Sequence, residues 1–535
     1  MLSNGLTIVV VEDRRLPLVS YRLAFRVGGA FDPPHLPGLT DLLAGLLPEG
    51  TESRTSREIA EEVARMGASL SAGANSDYTI VAASALAQFN DRILDLMAEV
   101  VLQPSFPENE VELAKQNTKE SLRQQRAQPS FLASEMVSRV MYGDHPYSVV
   151  APTPESIDRS SRDEFVNFHR AKLVPNNGVF IIVGDVHYDE IVSRLESLFS
   201  GWERGEDLVS NFPAPPVRTR RTAYLIDRHG SAQSNIVIAN SGIIRTSPDY
   251  FPMMLMHTVL GANASSRLFM NLREEKGYTY GAYTNLDARR SAGTFRATAE
   301  VRTQVTSDSL KEFFYELNRI RNEPVSAKEI GDAKSYLTGV FPIRLETQEG
   351  LTDQLVQIKM LNLPDNYLQM YRDRVQAVTI EDIQRVAQKY VRPDEAALIV
   401  VGDGSSVLDQ IRPYCDDIEI YNTSGKRKTT DGPGPTDPAG SWSIELETPL
   451  GQSIPATLTI LREGDAFSGT FSSEMGNATL GRVELHDNSF QSTTFLNTDG
   501  HELPAELSAR FDGDHAEGSL TLQESPALPF TGSKD

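Results

Sequence analysis

The feature that most constrains the fold of this chain is an internal repeat with a spacing of 218 residues. Residues 173–185, LVPNNGVFIIVGD, and residues 391–403, VRPDEAALIVVGD, share a proline, an apolar run and a closing Gly-Asp pair in the same register. The helical pattern ahead of each segment keeps this spacing, with Phe165 matching Ile383. The repeat predicts two domains of one architecture, because each copy must bury its own apolar faces.

Strand-like and helix-like patterns are mixed within each copy, which is typical of α+β domains. Near the N terminus, Thr7–Val11 and Val19–Val27 are predicted to pair with each other as strands, and residues 69–86 are predicted to form two antiparallel strands. The spacing of apolar residues predicts helices over Gly38–Leu47 and Ser56–Met66.

The chain divides into four parts. We expect homologous αβ domains, each with an antiparallel-rich sheet packed by helices, over residues 1–210 and 218–421. Residues 422–440 are rich in Thr, Ser, Lys, Asp, Gly and Pro, which predicts a linker. Residues 441–535 contain seven short alternating segments separated by turn residues, which predict a small all-β barrel or sandwich with Trp442 in its core.

Charge and cysteine content exclude several classes of function. The chain has 51 basic and 73 acidic residues, a net charge of −22, which argues against nucleic acid or an anionic lipid surface as the partner. Cys415 is the single cysteine, so an intrachain disulfide and a multi-cysteine zinc site are excluded. No two histidines are three or four residues apart, so no helix carries a pair of zinc-binding imidazoles.

The sequence leaves the compartment open. No apolar stretch is long enough for a transmembrane segment, and the first residues lack the basic head and apolar run of a secretory signal. The chain begins almost within its first predicted strand, so an export signal ahead of it would place the protein in the periplasm. Without one we expect a cytoplasmic, soluble protein.

Three segments resemble the pitrilysin/insulinase family of zinc peptidases, which includes mitochondrial processing peptidase. They are LSNGLT at residues 2–7 with LPLVS at residues 16–20, GLTDLLAGLLPEGT at residues 38–51, and GANASSRLF at residues 261–269 continuing to LREEKGYTY at residues 272–280. The resemblance extends over residues 1–410 and is strongest to the bacterial two-subunit branch. It implies peptide hydrolysis and two homologous domains that form half of a clamshell.

The resemblance places the family's inverted zinc motif, His-x-x-Glu-His, on Asp41, Ala44 and Gly45. In the family the two imidazoles bind zinc and the glutamate polarises a water molecule. Alanine cannot accept a proton and glycine offers no ligand, so the resemblance implies a degenerate motif and no metal bound by this chain. The family's third ligand corresponds to Glu120, and the alternative for Asp41 and Glu120 is that both are helix carboxylates without a role.

The family's arginine and tyrosine of the C-terminal domain correspond to Arg273 and Tyr280. In relatives these side chains reach the substrate carbonyl at the zinc site, where a guanidinium and a phenol can stabilise the developing oxyanion. The alternative is that Arg273 is a surface cation paired with Glu274 or Glu275, and that Tyr280 is an ordinary strand aromatic.

The family's substrates add as an extended strand to a sheet edge, which corresponds here to residues 68–74, ASLSAGA. Ser71 and Ala72 stand where relatives usually have Asn-Ala, and serine keeps a hydrogen-bonding group. The alternative is an ordinary sheet edge blunted by small residues.

These features together predict the accessory subunit of a heterodimeric metallopeptidase. We expect this chain to complete the peptide-binding chamber and to donate Arg273 and Tyr280 to a homologous partner that holds the zinc. One alternative is an inactive homologue that binds peptides or serves as a scaffold. Another is an independent zinc enzyme that uses Asp41, Glu120 and either His35 or His145.

Overall fold

The computed structural model describes residues 1–428, 438–448, 453–463, 466–483, 489–498, 501–512, 515–522 and 527–534. The chain separates into two compact units, residues 1–428 and residues 429–535. The first unit contains two αβ domains and the second a β-barrel.

The N-terminal domain has one five-stranded sheet. Its strands are β1 (Thr7–Glu12), β2 (Leu18–Phe25), β3 (Ser69–Ala74), β4 (Thr79–Leu86) and β5 (Gly178–Gly184). Its helices are α1 (Leu39–Leu46), α2 (Ser56–Met66), α3 (Asn90–Leu102), α4 (Glu108–Arg126), α5 (Pro129–Tyr142), α6 (Pro154–Arg159), α7 (Arg162–Lys172) and α8 (Tyr188–Phe199). The strand order is β1-β5-β2-β4-β3, in which β1 and β5 are parallel and the other neighbours antiparallel.

The predicted pairing of the first two strands is wrong, because β5 lies between β1 and β2. Every residue of β5 is buried. A strand that is apolar on both faces is favoured at the centre of a sheet, where neighbours also pair both of its backbone edges. The late strand therefore separates two strands that are adjacent in sequence.

The C-terminal domain repeats this topology. Its strands are β6 (Thr222–Asp227), β7 (Gln233–Ser241), β8 (Thr279–Ala288), β9 (Gly293–Arg302), β10 (Ala397–Gly402), β11 (Asp417–Tyr421) and β12 (Arg427–Lys428). Its helices are α9 (Tyr250–Gly261), α10 (Arg267–Phe269), α11 (Thr306–Asn322), α12 (Ala327–Arg344), α13 (Gln348–Met360), α14 (Tyr367–Ala377), α15 (Ile380–Tyr390) and α16 (Gly404–Ile411). The order β6-β10-β7-β9-β8 matches that of the N-terminal sheet, so the predicted repeat of two αβ domains is confirmed.

The C-terminal sheet extends into the segment predicted as a linker. Strand β11 pairs with β6, and Arg427–Lys428 pair with β11 as a short edge strand. Residues 422–428 therefore continue the sheet, because the turn after β11 returns the chain along its own edge. Residues 429–437 of the predicted linker lie outside the described residues.

The two αβ domains exchange equivalent helices. Leu132 and Met136 of α5 pack on the C-terminal sheet, whereas Val356 and Met360 of α13 pack on the N-terminal sheet. Each sheet is thus covered on one face by a helix of the other domain. This exchange explains why residues 1–428 form one compact unit.

The second unit is a closed antiparallel barrel of eight strands in chain order. They are β13 (Gly440–Glu447), β14 (Ser453–Glu463), β15 (Ala466–Ser473), β16 (Gly476–Val483), β17 (Ser489–Thr498), β18 (His501–Asp512), β19 (His515–Leu522) and β20 (Leu528–Lys534). The predicted all-β domain is confirmed as a barrel. Trp442 is fully buried in its core, 4.8 Å from the ring of Phe511.

The sequence analysis missed β20, the strand that closes the barrel against β13. This segment contains Pro529 and Gly532, two residue types that are typical of turns and uncommon inside strands. Pro529 is paired with β19 but precedes Phe530, where pairing with β13 begins, so its missing N–H is tolerated. Among the helices of the described residues, none has the length and apolarity needed to cross a lipid bilayer.

Candidate functional site

The start of helix α1 is fixed by Asp32. Its carboxylate accepts hydrogen bonds from the backbone N–H groups of Gly38, at 2.7 Å, and Thr40, at 2.9 Å, although burial still raises the pKa of Asp32 to about 6. Gly38 has a φ of 90°, and a Cβ atom there would lie 2.6 Å from Pro152. These contacts fix where α1 begins, and they thereby determine the direction in which its later side chains point.

A cavity of about 360 Å³, here called the N-terminal cavity, lies between α1, β3 and α4. Asp41 and Gly45 line it from α1, Ala72 from β3, and Glu110 and Asn117 from α4. The cavity therefore joins two of the motif positions on α1 to the edge strand β3 of the N-terminal sheet.

Three carboxylates, Asp41, Glu49 and Glu110, line the N-terminal cavity, and its walls, all within residues 1–428, contain no Lys, Arg or His. The sequence analysis missed Glu49 and Glu110. The available signal for Glu110 is its helical spacing from Ala114 and Asn117, which places all three on the face of α4 that packs toward α1. No pattern in the sequence pointed to Glu49, which lies in the turn after α1.

Asp41 connects α1 to the end of β3. Packing of the protein around its carboxylate raises the pKa of Asp41, and a hydrogen bond from the backbone N–H of Ala74 opposes that rise. The charged form is therefore less favourable than in water, and a cation in the cavity would stabilise it.

The residues at the zinc-motif positions do not fit a zinc ion. Ala44 is fully buried, and Gly45 has no side chain to offer. Glu120 lies on the exposed side of α4, where its Oε2 atom is 3.5 Å from Nη1 of Arg123, and it does not line the cavity. Across the described residues, no group of three or more His, Cys, Asp or Glu side chains could hold a metal ion. The structure thus brings Asp41 and Gly45 to one cavity and leaves Ala44 and Glu120 outside it.

Strand β3 is an edge strand of its sheet and borders the N-terminal cavity. The N–H of Asn75 donates to the carbonyl of Tyr78 across the hairpin, at 3.0 Å, whereas the N–H of Ala74 points the other way, toward α1. Successive N–H groups alternate in direction along a strand, so that of Ala72 also points away from β4. Ala72 lines the cavity, and Ser71 is exposed without lining it.

Arg273 lies in a π-helical segment, Met270–Glu275, that follows α10. Its Nε atom is 3.5 Å from Oε1 of Glu274, and its guanidinium carbon is 4.8 Å from the ring centre of Phe269. The side chain remains 46% exposed. The structure therefore contains the surface pair with Glu274, and such a pair contributes little to stability. Arg273 can exchange it for another acceptor at low cost.

Tyr280 lies at the start of β8, at an irregularity between Thr279 and Ala282 in the pairing with β9. Its side chain is 89% exposed and borders a cavity of about 510 Å³ between α5 and the C-terminal sheet. The walls of the N-terminal cavity contain neither Arg273 nor Tyr280. The two halves of the expected machinery therefore occupy separate places in this chain.

The two histidines proposed as further ligands lie elsewhere. His35 is exposed, and His145 is buried in an aromatic cluster with Tyr142, Tyr147 and Phe212. The Nδ1 atom of His145 accepts a hydrogen bond from the N–H of Tyr147, and burial lowers the pKa of His145. Because neither histidine lines the N-terminal cavity, the structure does not assemble the independent zinc site considered above.

Two family profiles match consecutive parts of the chain. The profile described as "Insulinase (Peptidase family M16)" matches residues 7–153, and the profile described as "Peptidase M16 inactive domain" matches residues 159–337. Together they cover more than half of the chain and extend into both αβ domains.

Similar proteins from bacteria match over the greater part of their own length. An uncharacterized zinc protease of Bacillus subtilis is 22% identical over 407 residues, which is 75% of this chain and 98% of the relative. An uncharacterized zinc protease of Streptomyces coelicolor is 24% identical over 392 residues, or 72% of this chain and 85% of the relative.

Solved structures show the same fold. A peptidase M16 inactive domain from Pseudomonas fluorescens superposes with a TM-score of 0.70 at 26% identity, covering 75% of this chain and 96% of the other. A protease from Helicobacter pylori also gives a TM-score of 0.70, at 18% identity, with 75% and 98% covered.

Proposed function

Because the chain belongs to the insulinase family, peptidase family M16, we propose that it is the metal-free accessory subunit of a two-chain peptidase. Its partner is a homologous chain that carries the zinc, and the two together enclose a chamber for a peptide or an unfolded protein. In this proposal Arg273 and Tyr280 act at the partner's site.

The observation that carries the proposal is the contrast between the two halves of the family's machinery in this chain. Helix α1 carries residues that do not fit a zinc ion, whereas Arg273 and Tyr280 are present and exposed. A tyrosine that is 89% exposed leaves apolar area of its ring in water, and contact with another molecule would remove that area from water.

The two side chains suit the oxygen of a reacting peptide carbonyl. The guanidinium of Arg273 can donate two N–H groups, and Tyr280 can donate its phenolic O–H. When the carbonyl carbon becomes tetrahedral, negative charge grows on the oxygen, and donors already in position stabilise it. Loss of one such donor lowers the rate by roughly 100- to 1000-fold in comparable sites.

A second candidate is a catalytically inactive homologue that binds peptides or serves as a scaffold. The position of β3 at the edge of its sheet, beside the N-terminal cavity, favours peptide binding in either case. The two candidates differ in whether hydrolysis depends on Arg273 and Tyr280.

The test is hydrolysis of an internally quenched fluorogenic peptide by this chain alone, by the zinc-bearing homologue of the same organism alone, and by their mixture. We expect activity in the mixture only. Arg273→Ala or Tyr280→Phe should lower the rate of the mixture by about tenfold or more. Tyr315→Phe is the matched control, because Tyr315 is also exposed but lies on α11.

Analytical ultracentrifugation of each mixture separates loss of catalysis from loss of the complex. If the mixture is no faster than the homologue alone, the accessory role is refuted and the scaffold candidate takes its place. Hydrolysis by this chain alone, with bound zinc, would contradict the interpretation of α1.

A further inference from the structure

The guanidinium of Arg273 contacts its neighbours in the sequence. Its central carbon lies 4.8 Å from the ring centre of Phe269, and its Nε atom lies 3.5 Å from Oε1 of Glu274. Both of these residues are within four positions of Arg273. The place of the guanidinium therefore depends on the backbone of the π-helical segment Met270–Glu275 that carries it.

This segment contains a turn that is wider than an α-helical turn. The N–H of Lys276 donates a hydrogen bond to the carbonyl of Asn271, five residues back, at 3.0 Å. An α-helix uses the carbonyl four residues back, so the π-helical turn contains one residue more and changes the direction of the side chains that follow. Asn271 and Leu272 are buried, whereas Arg273 is exposed. Single turns of this kind are frequent at functional sites.

Asn271 binds the start of this segment to helix α11. Asn271 is only 6% exposed, and its Nδ2 atom donates hydrogen bonds to Oε1 of Glu316 at 3.0 Å and to Oε2 of Glu312 at 3.1 Å. Both carboxylates belong to α11, and Glu316 is itself buried and paired with Arg319 at 3.4 Å. Hydrogen bonds to ionised acceptors are stronger than those between neutral groups, so these contacts hold the segment firmly.

Glu312 also contacts the other end of the segment. Its Oε1 atom lies 3.8 Å from Nζ of Lys276, the residue that directly follows Glu275. Between the two ends, Leu272 is fully buried in the core of the C-terminal domain. Arg273 therefore lies on a turn that is anchored on both sides.

We propose that Asn271 is a positioning residue for Arg273. By holding the π-helical segment against α11, it sets the place at which the guanidinium meets the carbonyl oxygen of a peptide in the partner's site. The inference rests on the proposed function and adds the contact that pre-organises its arginine. Donors that are in position before the reaction stabilise the developing charge without reorganisation, so a displaced guanidinium lowers kcat more than it raises KM.

A double-mutant cycle in the peptide-hydrolysis assay of the mixed subunits tests this role. Asn271→Leu keeps the approximate size of the side chain and removes both hydrogen bonds to α11. We expect kcat to fall about tenfold and KM to change by less than about twofold. In the Arg273→Ala background the same substitution should lower kcat by less than about twofold, because Asn271 acts through Arg273. A residue that only stabilises the domain would lower kcat by the same factor in both backgrounds.

Asn240→Leu is the matched control. Asn240 is also 6% exposed and belongs to the same domain, and its Nδ2 atom donates to the carbonyl of Arg392 at 2.9 Å. It lies opposite Phe295, at the end of β9 that is remote from Val301, the residue paired with Thr279. We expect Asn240→Leu to lower the Tm of the chain and to leave the kcat of the folded mixture unchanged.

Two substitutions at Glu312 test the same contact from α11. Glu312→Ala removes one acceptor of Asn271 and the pair with Lys276, and we expect kcat to fall about threefold or more. Glu312→Gln keeps an oxygen for Asn271 and should restore most of that loss. A loss that glutamine does not relieve would overturn the role of Asn271. These variants decide the question if Asn271→Leu does not fold.

Hydrogen–deuterium exchange of this chain alone supplies a measurement that does not depend on catalysis. The N–H of Lys276, which closes the wide turn on Asn271, should exchange about tenfold faster or more in Asn271→Leu than in the wild type. Unchanged exchange, or an equal loss of kcat in both backgrounds, would overturn the positioning role while the proposed function stands. A wild-type mixture that is inactive, or unaffected by Arg273→Ala, would refute the proposed function and the positioning role together.

Discussion

At residue scale, Glu110 and Glu329 show how neighbouring side chains decide the role of one residue type. Each is the third residue of a long helix, and each lines a cavity. Arg267 neutralises Glu329, and no arginine does so for Glu110. Glu329 is thereby tied into the fold, whereas Glu110 has no such counter-charge among the described residues.

Arg267→Met should destabilise the first unit. It removes the two hydrogen bonds from Arg267 to Glu329 and leaves that carboxylate, which still accepts hydrogen bonds from Ser326, partly buried without a counter-charge. We expect the free energy of unfolding to fall by about 2–3 kcal/mol at neutral pH, measured by urea denaturation. Lys328→Met is the control, because its ion pair with Asp332 is exposed and should contribute less than about 0.5 kcal/mol.

The effect of Arg267→Met should depend on pH. Burial raises the pKa of Glu329, but hydrogen bonds from Arg267 and Ser326 outweigh it and lower that pKa from an ordinary 4.5 to about 2 on folding. The contribution of the pair with Arg267 is therefore complete above pH 4.5 and is lost as the pH falls toward 2. The difference in stability between wild type and variant should therefore shrink on acidification across this range. A difference that stays constant down to the lower limit would contradict the ion pair.

At the scale of elements, β3 and α1 act as one unit. Helix α1 contains Asp41, and the backbone N–H of Ala74, at the end of β3, donates a hydrogen bond to the Asp41 carboxylate. Periodicity predicted both elements, and their contact across the cavity depends on how α4 covers them. The alternation of N–H groups along β3 is what makes its outer edge usable for a peptide.

Ala72→Pro should abolish binding of an extended peptide along the edge of β3. Proline removes an N–H that points away from the sheet, which an edge strand tolerates, so we expect the free energy of unfolding to change by less than about 1 kcal/mol. Ser71→Pro is the contrast, because the N–H of Ser71 faces β4 and its loss should destabilise the domain. Anisotropy and urea denaturation measure the two effects. Peptide binding that survives Ala72→Pro would contradict strand addition at β3.

At the scale of the whole molecule, the exchange of α5 and α13 ties the two αβ domains together. Each helix buries its apolar side chains against the sheet of the other domain. The barrel has its own closed core, in which Trp442 is fully buried. The chain therefore combines one interlocked unit and one autonomous unit.

Met360→Ala should destabilise the N-terminal domain although Met360 belongs to the C-terminal one. Met360 is fully buried on the N-terminal sheet beside Val179. We expect a loss of about 2–4 kcal/mol, read from the fluorescence of Trp202 in a Trp442→Phe background, since these are the two tryptophans of the chain. Glu349→Ala, at an exposed position of α13, should change little. An unchanged Trp202 transition in Met360→Ala would show that the domains unfold independently.

The sequence by itself determined the repeat, most of the helices and strands, and which residues occupy positions 41, 44 and 45, because each is a local property of neighbouring residues. A glycine at position 45 offers no ligand in any fold. Only the tertiary structure placed β5 between β1 and β2, exchanged α5 and α13, brought Glu49 and Glu110 into the N-terminal cavity and left Glu120 outside. These outcomes depend on which distant faces bury each other. Periodicity marks an apolar or polar face, but its partner is selected by packing across the whole unit.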